Sequence, residues 1–237
     1  MTEPATYELT DRIATITIDD GKVNAFSITM LQALHRALDQ AESDGAVVVL
    51  KGRDGCFSAG FDLKVFAGEP ERVLEMLTLG ATLAERLLSF PTPVVVACTG
   101  HAIAAGSFLP LAADARIGAD GPFQIGLSEV RIGMTVPWFA IELARARLHP
   151  AHYDRAVICA AMYSPREAVT AGFLDEVVAA ENLHGAAMEA AGTLAELDPG
   201  AHAATKLRAR ADVLAVLRSA IETELVAENF PAAGSQG

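Results

Sequence analysis

One glutamate in this chain stands in a segment that carries almost no other charge. Glu129 lies within QIGLSEVRIGMTVPW, where Arg131 is the one other charged residue. Apolar surroundings raise the pKa of a carboxylate because burial disfavours its charged form, and a pKa near the working pH suits a general base. The same pattern is also typical of a surface glutamate in the first turn of a helix. Glu129 is therefore a candidate general base, with an ordinary surface acid as the alternative.

Two loops rich in small residues could stabilise the anion that such a base would create. They lie in CFSAGFDL and TGHAIAAGSFL, and each follows an apolar run typical of a buried strand. The small residues at Ala59-Gly60 and at 104–106 let another group approach the backbone closely. If both strands belong to one sheet, the loops emerge at the same edge, and their N–H groups can converge into an oxyanion hole. The alternative is a pair of tight turns between closely packed strands and helices.

The chain has no motif of the common phosphate-binding or serine-nucleophile types. Neither GxGxxG nor GxxxxGKS/T occurs in the two loops, and no GxSxG elbow surrounds Ser58 or Ser107. His149 and His152 have no cysteine or acidic cluster nearby, so a helix cap or a surface position explains them better than a metal site. The sequence therefore predicts no metal and no serine nucleophile.

The composition indicates a folded protein with a substantial core, since 51% of the 237 residues are hydrophobic and 20% are charged. The net charge of −12 disfavours nucleic acid or an anionic membrane as the main partner, because both require a basic face. A local basic patch for an anionic small ligand is compatible with that charge. No apolar run of ~18 residues, no signal-peptide pattern and no CxxC pair is present. We therefore expect a protein of the reducing cytoplasm.

Apolar patterning predicts the elements that position the two loops. Residues 7–19 alternate as a β-hairpin does, and Ser27 caps a helix whose apolar residues share one face. Further helices are predicted at 71–89, 137–148 and 164–172, where prolines and glycines mark their ends.

Strands and helices alternate up to about residue 180, and only helices follow. This order predicts an α/β core with a C-terminal helical extension. We assign the core to residues 1–180, the helical region to 181–230 and a loose tail to 231–237.

Four segments carry a resemblance to a known family. The chain contains VNAFS, FSAGFDL, GHAIAAGSFLPLAADARIGA and IGLSEVRIGMTVPW, in this order. This set resembles the crotonase superfamily of enoyl-CoA hydratases and isomerases, from about Tyr7 to Val178 and less clearly beyond. The resemblance implies an α/β fold of ββα turns that form a spiral of two roughly perpendicular sheets. It also implies C-terminal helices that assemble a homotrimer or a dimer of trimers. The implied substrate is an acyl-CoA, with coenzyme A as part of the substrate and no further cofactor.

The resemblance also assigns roles to individual residues. Two backbone N–H groups hold the thioester oxygen in this family, and they match Ala59 and Ala105, where glycine is usual at the second position. Typical hydratases use two glutamates to hold and activate a water. Their first position is Phe108 here, and their second is Glu129. A phenyl ring accepts no proton and orients no water, so the resemblance implies impaired hydration. A double-bond shift needs one carboxylate, and IGLSEVRIGMTVPW is similar to the isomerase pattern IGLNE…LGI…AP.W.

The resulting hypothesis is an isomerase that converts 3-enoyl-CoA to trans-2-enoyl-CoA. Glu129 removes a proton from C2, the N–H groups of Ala59 and Ala105 stabilise the dienolate oxygen, and Glu129 returns the proton at C4. The remaining predicted site residues form a substrate pocket and a CoA contact. The pocket residues are Gly60, Asp62, Leu63, Phe108, Trp138 and Phe139, and the CoA-binding residues are Lys22 and Ala25.

Two alternatives stay open at this point. A hydratase would need a substitute for the missing acid, and the sequence offers Asp62, which is usually structural in the family, or a residue of segment 67–76. A non-catalytic protein of the same fold would bind acyl-CoA without turnover. The presence of Glu129 in an apolar segment favours an enzyme.

Overall fold

The computed structural model describes residues 3–229, so the tail predicted at 231–237 lies outside it. The strands are β1 Ala5–Thr10, β2 Ile13–Ile18, β3 Val47–Lys51, β4 Gly55–Ser58, β5 Val94–Cys98, β6 Gly100–Ile103, β7 Ala115–Ala119, β8 Ile125–Gly126 and β9 Glu176–Val178. The α-helices are α1 Ile28–Ser43, α2 Leu63–Phe66, α3 Pro70–Ser89, α4 Phe108–Ala112, α5 Trp138–Arg147, α6 Pro150–Val157, α7 Pro165–Ala171, α8 Leu183–Ala195, α9 Pro199–Ala209 and α10 Ala211–Glu224. Short 3₁₀ helices lie at Ala104–Ser107, Glu129–Ile132, Ala180–Asn182 and Ala227–Asn229. Within the described range, no helix is both long enough and apolar enough to cross a membrane.

The strands form two sheets, which confirms the predicted α/β class. The large sheet has the order β1-β2-β3-β5-β7-β9, with β1 and β2 as an antiparallel hairpin and the other pairs parallel. The small sheet has the order β4-β6-β8 and is parallel throughout. The chain passes from the large sheet to the small one three times, from β3 to β4, from β5 to β6 and from β7 to β8. The two loops rich in small residues therefore start from neighbouring strands.

Local sequence signals account for most helix ends. Ser27 caps α1 by accepting the N–H of Met30 at 3.2 Å, and the buried face of α1 is the apolar face that the sequence predicted. Helix α6 was not predicted. Its cap is His149, whose Nδ1 accepts the N–H of Ala151 at 3.2 Å. A helix cap was one of the two roles that the sequence favoured for His149, and Pro150 at the first helical position is a further start signal.

The C-terminal helices pack on the core in two places. Helix α8 covers one face of the large sheet, where Ala187 and Ala191 join Val47, Val49 and Val95 in a buried cluster. Helix α10 packs against α3 and α5 on the other side of the fold. The packing of α10 brings the end of that helix close to the segment around Glu129, and it defines part of the site described below.

Candidate active site

The two loops approach each other so closely that only glycine fits between them. Gly60 has a left-handed φ of +88°, and a Cβ at this position would lie 3.0 Å from the backbone nitrogen of Ala105 and 2.8 Å from the carbonyl oxygen of Ile103. The strands β4 and β6 before the loops are in parallel register, with Ser58 opposite Ala102. The predicted convergence of the two loops on one point is therefore present in the structure.

The backbone N–H of Ala105 is available as a donor. Ala105 is the second residue of the 3₁₀ helix Ala104–Ser107, and the first N–H groups of a helix have no acceptor within that helix. Ala104 before it has a φ of +52°, a left-handed conformation that is uncommon for a residue other than glycine. Backbone strain of this kind concentrates at functional sites.

The N–H of Ala59, which was predicted as the second donor, is already occupied. It donates to the carbonyl oxygen of Val23 at 3.0 Å. This bond ties the first loop to the VNAFS segment and leaves Ala59 nothing to offer a ligand. The assignment of Ala59 to the oxyanion hole is therefore wrong, and its N–H has a structural role.

Phe61 supplies the N–H that remains free in this loop. The neighbouring N–H groups are occupied, because Gly60 donates to Ser58 Oγ at 3.1 Å and Asp62 donates to Phe26 O at 3.3 Å. Among residues 3–229, the Phe61 N–H donates no hydrogen bond. The pair of free donors at the two loops is therefore Phe61 and Ala105. The sequence could not show this, since the bonding pattern depends on a bridge between Phe61 and the distant Phe26.

Glu129 is buried rather than on the surface. It is 6% exposed, it begins the 3₁₀ helix Glu129–Ile132, and its Oε2 is buried without a hydrogen-bond partner in the described part of the chain. Burial raises the pKa of Glu129 from 4.5 to about 7, and the opposing effect of its own backbone N–H is smaller. A carboxylate with this pKa exchanges protons readily near neutral pH, as a general base requires.

The Glu129 carboxylate faces a small, mostly apolar cavity. The cavity has a volume of about 260 Å³. The residues that line it are Phe61, Phe66, Leu77, Phe108, Glu129, Met134, Thr135, Pro137, Glu224 and Leu225. Phe61 thus contributes its ring to the cavity wall, and the same residue carries the free N–H. The free donor and the buried base therefore belong to one site.

Phe108 forms the wall at the position where typical hydratases have their first glutamate. It is buried, and its ring packs edge-on against Phe61, with 6.2 Å between ring centroids, and against Phe139, with 5.4 Å. Phe139 is also fully buried but does not line the cavity. It lies behind Phe108 and holds that ring in place, so its predicted place in the pocket is corrected to a supporting one.

Four further residues predicted for the pocket do not line the cavity, and Gly60 is one of them, since it lies between the two loops. Asp62 caps α2 by accepting the N–H of Lys64 at 3.0 Å, which is the structural role that it usually has in the family. Leu63 is 59% exposed and Trp138 is 58% exposed, because each begins a helix with its side chain on the solvent side. The Trp138 ring is therefore not part of the apolar wall, although its backbone takes part in the site.

Glu224 is a site residue that the sequence analysis missed. It is the last residue of α10, it lines the cavity, and its Oε2 accepts the backbone N–H of Trp138 at 2.8 Å. Burial raises its pKa from the usual value. No motif surrounds Glu224, and it lies 95 positions after Glu129, so only the packing of α10 reveals it.

Lys22 and Ala25, which were predicted to contact CoA, flank the segment that holds the first loop. Lys22 is exposed, and its carbonyl oxygen accepts a bond from Arg53 Nη1 at 2.7 Å. The N–H of Ala25 donates to Asp20 Oδ2 at 3.1 Å. The guanidinium of Arg53 also pairs with the carboxylate of Asp19 at 3.8 Å.

Two loops that follow parallel strands have free N–H groups, and a buried carboxylate lies in an apolar cavity at the same site. This is the site arrangement that the resemblance to the crotonase superfamily implies. Sequence comparison agrees, since the model of the enoyl-CoA hydratase/isomerase family matches residues 8–234. The chain belongs to this family.

Known relatives share the fold but carry different activity names. An enoyl-CoA hydratase/isomerase family protein from Pseudomonas syringae is 47% identical, with a TM-score of 0.93 and coverage of 96% of this chain and 98% of that one. An enoyl-CoA isomerase from Mycobacterium tuberculosis is 44% identical, with a TM-score of 0.91 and coverage of 96% and 100%. Another structure of the same mycobacterial protein carries the name "probable enoyl-CoA hydratase".

A Bacillus subtilis protein with the name "Probable enoyl-CoA hydratase" is 36% identical over 133 residues, which are 54% of this chain and 50% of that protein. The match thus spans half the length of that relative. These names leave the choice between hydration and isomerisation to the chemistry of the site.

Proposed function

We propose that this protein is an enoyl-CoA isomerase that converts 3-enoyl-CoA to trans-2-enoyl-CoA, with Glu129 as the proton carrier. One observation carries the proposal. Helix α4 begins with the Phe108 ring at the cavity wall, where a hydratase would place an acid, while Glu129 keeps a buried and unpartnered oxygen in the same cavity. A 1,3-shift of a double bond needs one base that serves two carbons, and hydration needs a group that also holds a water.

The proposed reaction has two proton transfers. Glu129 removes a proton from C2 of the 3-enoyl-CoA, and the electrons of that C–H bond pass into a dienolate. The N–H groups of Phe61 and Ala105 donate to its oxygen, in the arrangement that makes an oxyanion hole. Protonated Glu129 then delivers the proton to C4, and the double bond ends between C2 and C3. The pKa of about 7 lets Glu129 both accept and release a proton near neutral pH.

The apolar wall protects the intermediate from solvent. Phe61, Phe66, Leu77 and Phe108 contribute side chains to the cavity wall that neither donate nor accept protons. A proton that Glu129 carries is therefore retained for C4, and a dry site strengthens the two N–H donors.

The CoA part of the substrate is proposed to lie along the exposed rim at Lys22 and Ala25. Lys22 is an exposed cation, and cations of this kind bind phosphate oxygens. Arg53 bonds the Lys22 carbonyl oxygen and also pairs with Asp19 at 3.8 Å. The predicted homotrimer or dimer of trimers is also a proposal, supported by the exposed apolar side chains of Val130 and Ile132.

Hydration is the second candidate function, and Glu224 is the observation that favours it. This carboxylate lines the same cavity as Glu129, although it comes from α10 rather than α4. It could hold a water in the place of the acid that Phe108 replaces.

The experiment follows double-bond migration in 3-enoyl-CoA and hydration of trans-2-enoyl-CoA separately, with the purified protein and with Glu129→Gln. Migration without hydration, lost in Glu129→Gln, supports the proposal. Hydration at a rate equal to or above migration contradicts it and favours the second candidate. Binding of acyl-CoA without either reaction contradicts both and supports the non-catalytic alternative.

A further inference from the structure

The carboxylate of Glu224 has one oxygen that the fold does not use. Its Oε2 accepts the Trp138 N–H at 2.8 Å, which ties the end of α10 to the start of α5. Its Oε1 has no hydrogen-bond partner within residues 3–229. Glu224 is half-buried and lines the cavity beside Glu129. One carboxylate oxygen of this residue therefore has no partner in the fold, and the residue borders both the cavity and a surface pocket at Trp138 and Asn229.

A purely structural role does not explain the choice of an acid at this place. The bond from Trp138 needs one acceptor, and a neutral amide would provide it. Glu224 is the last residue of α10, where the negative end of the helix dipole disfavours a carboxylate. Its pKa is raised by burial, so the charged form lacks the solvation that water would give. The helix dipole and the partial burial both make a carboxylate unfavourable here, yet the residue at this position of the cavity lining is a glutamate.

The apolar lining of the cavity makes Oε1 of Glu224 favour an O–H group over an alkyl group as its neighbour. Apart from Glu129 and Thr135, the lining residues beside Glu224 are apolar. An alkyl chain packed against the free oxygen would remove it from water without replacing its hydrogen bond, which is unfavourable. A bound O–H group would donate to it and restore that bond. The cavity of about 260 Å³ has room for an acyl segment and one such group, because a water molecule occupies about 30 Å³.

We infer that Glu224 is a specificity-determining residue that binds an O–H donor inside the acyl cavity, either a hydroxyl on the acyl chain or a water molecule. This inference rests on the proposed function in one respect, namely that the cavity beside Glu129 receives the acyl group. It adds a second polar contact at a site where the family motifs mark only Glu129.

The variant Glu224→Gln tests the inference with little change of shape. Its amide oxygen can still accept the Trp138 N–H, but the other position becomes an NH₂ group, which cannot accept a bond from O–H. Glu222→Gln is the matched control, because Glu222 is an exposed residue on the same helix. Thermal unfolding of both variants verifies that the fold is retained.

Three substrates distinguish the two possible donors. They are a 3-enoyl-CoA with an alkyl chain, the same compound with a hydroxyl on the chain, and a trans-2-enoyl-CoA for hydration. We expect Glu224→Gln to lower kcat/KM by roughly ten- to a hundred-fold with only one of the two O–H-dependent reactions, that of the hydroxylated substrate or the hydration. This is the usual effect of losing a hydrogen bond to a charged group. A selective loss with the hydroxylated chain identifies the acyl hydroxyl, and a selective loss of hydration identifies water.

Equal losses in all three arms, or no loss in any arm, overturn the inference. Its failure can be told apart from failure of the proposed function. If Glu129→Gln abolishes migration and Glu224→Gln changes nothing, the isomerase proposal stands and the role of Glu224 falls. If the unaltered protein hydrates but does not isomerise, the isomerase proposal falls, and the hydration arm still tests Glu224.

Discussion

The ring of Phe108 and the carboxylate of Glu129 line the same cavity, and Phe108 begins the helix that directly follows the loop of Ala105. The 3₁₀ helix Ala104–Ser107 runs without a break into α4, so one helical turn places residue 108 at the wall beside the free N–H of Ala105. The residue type at 108 therefore decides whether α4 contributes an acid to the site. That relationship makes position 108 the most direct place to alter the chemistry.

Phe108→Glu is expected to introduce hydration of trans-2-enoyl-CoA, because it adds a carboxylate that can hold a water opposite Glu129. Hydration is measured as the loss of absorbance of the conjugated thioester. The matched control is Phe108→Gln, which removes the same ring contacts with Phe61 and Phe139 but adds no acid. Both variants lose about 3 kcal/mol or more of stability, as buried phenylalanine substitutions usually do. Equal hydration rates in the two variants would contradict the prediction.

The pH dependence of isomerisation should report the ionisation of Glu129. The base must be deprotonated to accept the C2 proton, and its pKa is raised to about 7 by burial. We therefore expect kcat/KM to rise about tenfold per pH unit below pH 7 and to level off above it. Glu129→Gln should lower kcat by roughly 10²–10⁴-fold, the usual contribution of a general base. A profile that levels off near pH 4.5 would show that the base is not in this buried environment.

The same pKa shift predicts how stability changes with pH. The folded protein holds the Glu129 proton up to about pH 7, whereas the unfolded chain releases it near 4.5. The folded state therefore binds more protons in this window, and its stability falls as the pH rises from 4.5 to 7. At 1.36 kcal/mol per pH unit, the loss amounts to about 3 kcal/mol.

Urea unfolding at several pH values checks this prediction. The difference in unfolding free energy between the unaltered protein and Glu129→Gln should shrink or change sign across the window, because the amide does not ionise. Glu129→Gln should be the more stable protein at pH 8. Parallel stability curves for the two proteins would contradict the buried position of Glu129.

Gly60→Ala is expected to damage the oxyanion hole. The new Cβ would lie 3.0 Å from the Ala105 nitrogen and 2.8 Å from Ile103 O, so the two loops must separate. Displacement of one donor should lower kcat by about 10²–10³-fold. Gly45→Ala is the control, since Gly45 also has a left-handed φ, of +59°, but no atom lies within 4 Å of its added Cβ. The control should lose about 1–2 kcal/mol of stability from backbone strain and keep its activity. Similar activity losses in both variants would attribute the effect to strain alone.

The sequence predicts the parts of this structure that depend on local patterns. The α/β class and the convergence of two loops follow from alternating strands and small residues, and the family motifs place Phe108 and Glu129 at one site. The donor in the first loop could not be predicted in the same way. Whether Ala59 or Phe61 has a free N–H depends on bonds to Val23 and Phe26, which lie in another segment.

The place of Glu224 in the site also depends on contacts between segments that are distant in the sequence. Its place in the site results from the packing of α10 against α5, and the partner of its carboxylate is a backbone N–H 86 positions away. A backbone N–H is present in every residue except proline, so the amino-acid sequence does not indicate which one a carboxylate will bind. Trp138 was predicted for its aromatic ring, but the structure uses its N–H and leaves the ring exposed.

A buried ion cluster anchors the C-terminal region, and its removal should unfold the protein at lower temperature. The carboxylate of Asp114 bonds Lys206 at 2.6 Å, Arg210 at 2.8 Å and the backbone N–H of Val94 at 2.7 Å. These bonds join α9 and the start of α10 to strand β5. Asp114→Asn leaves two mostly buried cations without a counter-charge, so we expect a loss of about 3–5 kcal/mol. For a chain of this length, the melting temperature should fall by roughly 6–20 °C.

The effect of Asp114→Asn should also depend on pH, because the loss of Asp114 removes a group that holds the proton on Lys206. Burial lowers the pKa of Lys206 to about 8 even with Asp114 present, and the variant should lower it further. The folded variant then binds fewer protons than its unfolded chain, so its stability rises with pH and the deficit is smaller at pH 9 than at pH 6. Glu75→Gln breaks an exposed pair with Arg72 and should cost less than 1 kcal/mol at either pH. Equal melting temperatures for the two variants would mean that the Asp114 cluster contributes no more than a surface ion pair, and α9 would then be held by its apolar contacts alone.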